Sequence, residues 1–170
     1  MNEAHFHLLV NHLPIMGSLF GLIVLALGFA LRSSVVRRVG LFLLILGGLT
    51  AMPANFSGEG AEEVVESLPG ADHKLIHEHE ESAEVALIVS VIVALISMVG
   101  LFAEWKGKKW AIYVSTTVLL LSAGNFYLLR KVGTTGGEIR HSEIRKDFVA
   151  SPEHEHEEEH EHEDGEHGDD

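Results

Sequence analysis

Four runs of apolar residues, 13–31, 39–56, 85–103 and 110–129, alternate with polar stretches, and none of the four carries a charged side chain. Each is close to the roughly 20 residues an α-helix needs to cross about 30 Å of hydrocarbon. Lipid offers no partner to backbone N–H and C=O groups, so such segments must satisfy them internally as helices. The connections 32–38 and 104–109 are short, which makes the helices flanking each of them antiparallel neighbours. The pattern predicts an all-α membrane protein: residues 1–150 form an antiparallel four-transmembrane-helix bundle with helical extensions at one end, and 151–170 form a tail.

The extensions follow from periodicity. Leu75, Ile76, His79, Ala83, Ala86 and Leu87 keep the i, i+3, i+4 spacing of one buried stripe, so the third helix should begin well before its membrane segment, with His79 facing inward. Asn55, Glu59, Glu62 and Glu66 share a face if the second helix survives Gly58 and Gly60, and Leu68-Pro69-Gly70 supplies a turn. On the first helix His5 and His12 are seven apart and share a face with Leu9 and Met16, while His7 points elsewhere. The fourth helix is expected to end near Leu129, before the glycine-rich residues 132–137.

Charge then orients the bundle. The formal net charge is −13, but 11 of the 25 acidic residues lie in 151–170, which has no lysine or arginine, so the bundle itself is nearly neutral. Arg32, Arg37, Arg38, Lys106, Lys108 and Lys109 crowd the two short turns, beside Trp105 and Trp110 as interfacial anchors. By the positive-inside rule those turns are cytoplasmic and both termini face outward, as in a multi-pass protein of the bacterial inner membrane. Residues 1–10 lack the basic start of a secretory signal, so the first helix reads as a retained span. The bilayer is the expected partner. No basic surface suits nucleic acid, no Gly-rich phosphate loop follows a strand, and the absence of cysteine excludes disulfides, thiolate ligands and Cys-attached haem.

All twelve histidines lie outside the apolar segments and outside the two basic turns, hence on one side of the membrane. His12, Glu62, His79, Glu138 and His141 come from four segments expected to meet at the outer mouth of the bundle, with Glu138 and His141 spaced as the Glu-x-x-His pair of carboxylate-bridged sites. Imidazole with carboxylate and no thiolate suits a transition metal, iron or zinc foremost, with manganese or nickel also compatible. His5, His7, His73 and His77 are weaker candidates, because surface histidines are common. The tail, with His154, His156, His160, His162 and His167 among glutamates, cannot bury enough apolar surface to fold; it is expected to be disordered and to chelate divalent metal loosely.

Haem b is the alternative cofactor, with His12 and His79 as its axial pair. Position counts against it, because neither residue lies within an apolar span. The small residues that could admit a macrocycle, such as Gly17 and Gly21, more commonly allow close helix packing.

Residues 5–15 (HFHLLVNHLPI), 58–63 (GEGAEE), 79–81 (HEE) and 136–141 (GGEIRH) together resemble the DUF2231-like family of bacterial four-helix inner-membrane domains of unknown function. The resemblance covers about residues 4–144 and implies the four-helix architecture, similar in outline to four-helix membrane cytochromes b. It carries neither an activity nor haem ligands onto particular positions, and the tail lies outside it.

Three functions follow as expectations: a membrane metalloprotein for metal handling or as a small redox subunit, a b-type cytochrome passing electrons, or a non-catalytic assembly subunit docking other membrane or periplasmic subunits. No substrate pocket is legible, so binding is expected rather than catalysis. Permeation fits less well, since the inner halves of the spans offer little polar beyond Ser115, Thr116 and Thr117.

Overall fold

The computed structural model describes residues 2–69, 71–145 and 148–149. Its helices are α1 (Glu3–Val10), α2 (His12–Ala30), α3 (Ser34–Glu66), α4 (His73–Trp105) and α5 (Ala111–Arg140), followed by a single 3₁₀ turn, Ser142–Ile144. With α1 and α2 nearly continuous, four helical segments are long and apolar enough to cross a membrane, as the apolar runs predict. The predicted tail and its histidines lie outside the described residues.

A 33-residue helix is about 50 Å long, so α3 and α4 overshoot about 30 Å of hydrocarbon by several turns. The overshoot falls at the histidine-bearing end, where α3 runs unbroken through Gly58 and Gly60 to Glu66. After the turn around Pro69, Asp72 caps α4 by accepting from Lys74 N at 3.0 Å and Leu75 N at 3.4 Å. The predicted stripe on α4 holds, with Ile76 and Ala86 buried and His79 half-buried.

One expectation is corrected. The last helix does not stop near Leu129 but continues through Gly133, Gly136 and Gly137 to Arg140. Glycine weakens a helix by about 1 kcal/mol relative to alanine, a cost that packing offsets here, since Gly136 lies against the ring of His79 and Gly133 against Ile15. The first helix loses one hydrogen bond of its ladder at Asn11, whose backbone stays helical at φ −63° and ψ −24°. Pro14 has no N–H to give the Val10 carbonyl and its ring crowds that oxygen, so α1 ends there and α2 restarts at His12.

The short-turn end is closed tightly. After α2, Arg32 adopts φ 52° and Ser33 N donates to Gly28 O at 3.0 Å; after α4, Gly107 adopts φ 59° and Lys108 N donates to Ala103 O at 2.9 Å. Both are left-handed helix stops, and only the second uses glycine.

Within the membrane segments the core is small: Leu25, Leu41, Leu44, Val93 and Val118 are buried. Packing there relies on close backbone approach. A methyl on Gly17 would lie 2.6 Å from the Gly47 Cα, and one on Gly48 would lie 2.6 Å from the Ser90 carbonyl oxygen, so α3 touches α2 and α4 through adjacent glycines. Across the middle, Ser90 Oγ donates to Asn125 Oδ1 at 3.0 Å and Asn125 Nδ2 donates to Ser18 Oγ at 3.4 Å, tying α4, α5 and α2 in one buried chain.

Candidate functional site

The two bundle ends hold different chemistry. At the short-turn end Arg37 reaches across to Glu104: Nε donates to Oε1 at 2.6 Å and an Nη donates to Oε2 at 3.1 Å, while Ser115 Oγ donates to Oε1 at 3.2 Å. Phe29 lies under the guanidinium, 5.6 Å from ring centroid to Cζ. Four helices thus meet on one buried ion pair. Sequence reasoning placed both residues among the turn charges and missed the pairing, because residues 67 apart leave no periodic signal.

At the other end the five expected donors do not gather. His12 is exposed, together with His5, Leu9 and Met16, so the face they share looks away from the bundle. His141 stops α5 with non-helical backbone, is exposed, and places Nδ1 2.8 Å from Glu143 Oε1, so no helical turn unites it with Glu138. A hydrogen bond to its own backbone N–H, and then the pairing with His141, hold the Glu143 carboxyl below the ordinary range. Glu138 is half-buried, and its carbonyl oxygen accepts from Arg145 Nε at 2.7 Å. His77 lies among Glu80 and Glu81, and His73 beside Glu66, all on the surface. Among the described residues no three His, Asp or Glu side chains form a group that could hold a metal ion by themselves.

What the fold builds instead is a pair of matching imidazole seats. His79 on α4 places Nδ1 3.1 Å from Thr135 Oγ1, and a methyl on Gly136 would lie 2.9 Å from its Cε1. His7 on α1 places Nδ1 3.0 Å from Ser57 Oγ, with Gly58 under its ring. Each seat is a hydroxyl residue followed by glycine on a neighbouring helix. This corrects the expectation for α1, since His7 turns into the bundle while His5 and His12 face out. The Ser57-Gly58 and Thr135-Gly136 dipeptides carried the signal, visible only once the helix was allowed to continue through glycine.

The seats favour one tautomer. Ser57 Oγ gives its proton to the Ala54 carbonyl at 3.0 Å and Thr135 Oγ1 gives its own to the Val132 carbonyl at 3.1 Å, so each hydroxyl can only accept from the ring. This arrangement favours the imidazole proton on Nδ1, which leaves the Nε2 lone pair free. Both rings lie in the extensions, beyond the apolar segments. Burial is the main reason that both titrate below the ordinary imidazole range; the Ala54 and Val132 carbonyls partly offset it, and a positive charge on His12 would disfavour protonation of His7, as one on His7 would for His79. Both are neutral at physiological pH.

A carboxyl pair completes the polar end. Glu62 is pushed up to about 7, first by a hydrogen bond to Glu80, then by burial and by the negative charges of Glu80, Glu66 and Glu59. Near neutrality Glu62 therefore carries a proton about half the time and can donate it to Glu80. No family model, curated protein or solved structure matches the chain, so its chemistry is read from these residues alone.

Proposed function

We propose that this multi-pass membrane protein binds a transition-metal ion at its histidine-bearing end, serving metal handling or as a small redox subunit. The observation that carries the reading is the pair of seats. A half-buried imidazole whose Nδ1–H is held by a fixed acceptor and whose Nε2 lone pair remains available is the form in which histidine ligates metals, with the outer hydrogen bond orienting the ring. Lowered proton affinity favours the same chemistry, because a proton competes with the metal for the lone pair.

His79 and His7 are the ligands in this proposal, and Glu62 with Glu80 supplies negative charge beside them. His12, Glu138 and His141 are outside this ligand set, since His12 and His141 are exposed and the non-helical backbone at His141 parts it from Glu138. Iron and zinc both suit neutral imidazole with carboxylate. Kinship with the DUF2231-like family, placement in a bacterial inner membrane and an outward-facing histidine end belong to the same proposal, the last resting on the arginines and lysines of the short turns.

Elemental mass spectrometry on the detergent-purified full chain tests it. The expected result is retained metal that is lost in His79→Ala and in His7→Ala and kept when His154, His156, His160, His162 and His167 are all replaced by alanine. Iron in the wild type calls for an absorption spectrum, where a Soret band would select bis-imidazole haem instead. Unchanged metal content in both His7→Ala and His79→Ala would refute the proposal and leave the seats as docking polarity for an assembly subunit.

A further inference from the structure

Arg37 and Arg38 are neighbours on α3 with different fates. Arg37 takes Glu104, which is the only acid in the two short turns, where six bases stand. Arg38 stays on the lipid-facing side. Its Nε donates to the Ser34 carbonyl at 3.3 Å, and among the described residues no carboxylate lies within ion-pair distance of its Nη groups. An arginine at a membrane boundary with several N–H donors and no counter-charge is a poised anion site when its surroundings also select what brings the anion.

The surroundings do so. Two adjoining hollows of about 420 and 380 Å³ run between α3 and α4, and both include Arg38 and Leu101 in their walls. Val35, Val39, Phe42, Met98 and Phe102 line the remainder, with Trp105 at the rim. From Arg38 to Phe42 and from Trp105 to Met98 the walls descend about one to two helical turns toward the bilayer centre. The cation therefore sits at the mouth of an apolar trough that starts at headgroup depth, the depth at which tryptophan settles.

We propose that this groove binds an anionic phospholipid, its phosphate on the Arg38 guanidinium and one acyl chain laid along Leu101, Phe42 and Met98. The match is of charge with charge and of apolar wall with hydrocarbon. It is independent of the histidine site at the opposite end.

Native mass spectrometry of the full chain, titrated with phosphatidylglycerol or phosphatidylcholine of identical acyl chains, reads the selectivity. Wild type is expected to take the anionic lipid about fivefold more tightly, the scale set by one basic residue near a lipid surface. Arg38→Gln should lose that preference and Lys109→Gln should keep it. Equal affinity of wild type for the two lipids, or equal losses in both variants, would overturn the proposal; the second outcome would mark a diffuse basic surface. Displacement of bound lipid by millimolar inorganic phosphate would also overturn it, because the acyl contacts would then be idle. As a readout independent of the arginine variants, Trp105 fluorescence in a Trp110→Phe chain should be quenched more by phosphatidylglycerol brominated in its acyl chains than by brominated phosphatidylcholine, and equal quenching would count against the groove.

Discussion

Glu104→Gln is the most informative single change at the short-turn end. The carboxylate accepts three hydrogen bonds, at 2.6, 3.1 and 3.2 Å, and its side chain is 4% exposed, against 14% for Arg37. An amide keeps the volume but turns one acceptor into a donor that faces the guanidinium. That loses a charge-assisted hydrogen bond, about 1.5–3 kcal/mol, and leaves Arg37 buried without its counter-charge. Breaking such a pair from one side costs about 3–5 kcal/mol in total, whereas exchanging both partners for apolar residues is close to neutral. The double variant Arg37→Met with Glu104→Leu should accordingly be more stable than Glu104→Gln alone. The assay is equilibrium unfolding in mixed micelles of mild detergent and dodecyl sulfate, followed by helical circular dichroism. A Glu104→Gln loss below about 1 kcal/mol, the range of an exposed pair, would refute the view that this pair is buried and structural.

Other expectations follow from the same geometry. Asn125→Leu removes both ends of the Ser90–Asn125–Ser18 chain and should cost about 0.6–2 kcal/mol in the same unfolding assay, the range of buried hydrogen bonds between membrane helices. Gly17→Val has no room against Gly47 and should destabilise by about 2 kcal/mol or more, while Gly124→Ala, which meets nothing within 4 Å, should not. The folded state favours protonated Glu62, so that group's contribution is present below its unfolded value of 4.5 and is lost as pH rises through about 7. His7 and His79 act in the opposite sense: the fold favours their neutral forms, so stability is lost as pH falls below the unfolded value of 6.5. Stability measured from pH 5 to 8 in wild type and Glu62→Gln separates the two, since the variant should lack the loss that accompanies rising pH up to about 7; parallel profiles would refute the raised titration of Glu62.

The fold was legible wherever it depends on runs and periods. Charge-free stretches gave the spans, and the stripe ending at Ala86 and Leu87 gave the extension of α4, because both signals are local. The end of α5 was not, because glycine reads as a helix stop and only contacts with Ile15 and His79 show why it is tolerated. At the histidine end, composition and span order placed the described imidazoles at one end of the bundle, but the donors were chosen by heptad spacing from His12. That spacing does put His5, Leu9, His12 and Met16 on one face, but it is the exposed one, and His7 on the opposite side of the same helix faces inward. Arg37 and Glu104 lie beyond any local rule, since their meeting depends on how α3 and α4 cross.

The adjacent glycines at the middle of α3 also limit how the molecule can move. Gly47 lies on the backbone of α2, and Gly48 on the Ala94 methyl and the backbone of α4, with no flexible side chain at either crossing to deform. A piston shift of α3 would drive larger neighbours such as Leu44 or Leu46 into those backbones, so axial sliding is blocked, whereas small tilts about the crossings are not. Any mechanical communication between the imidazole end and the lipid groove must then be a rocking of α3 about this fulcrum, in which the two ends move in opposite directions.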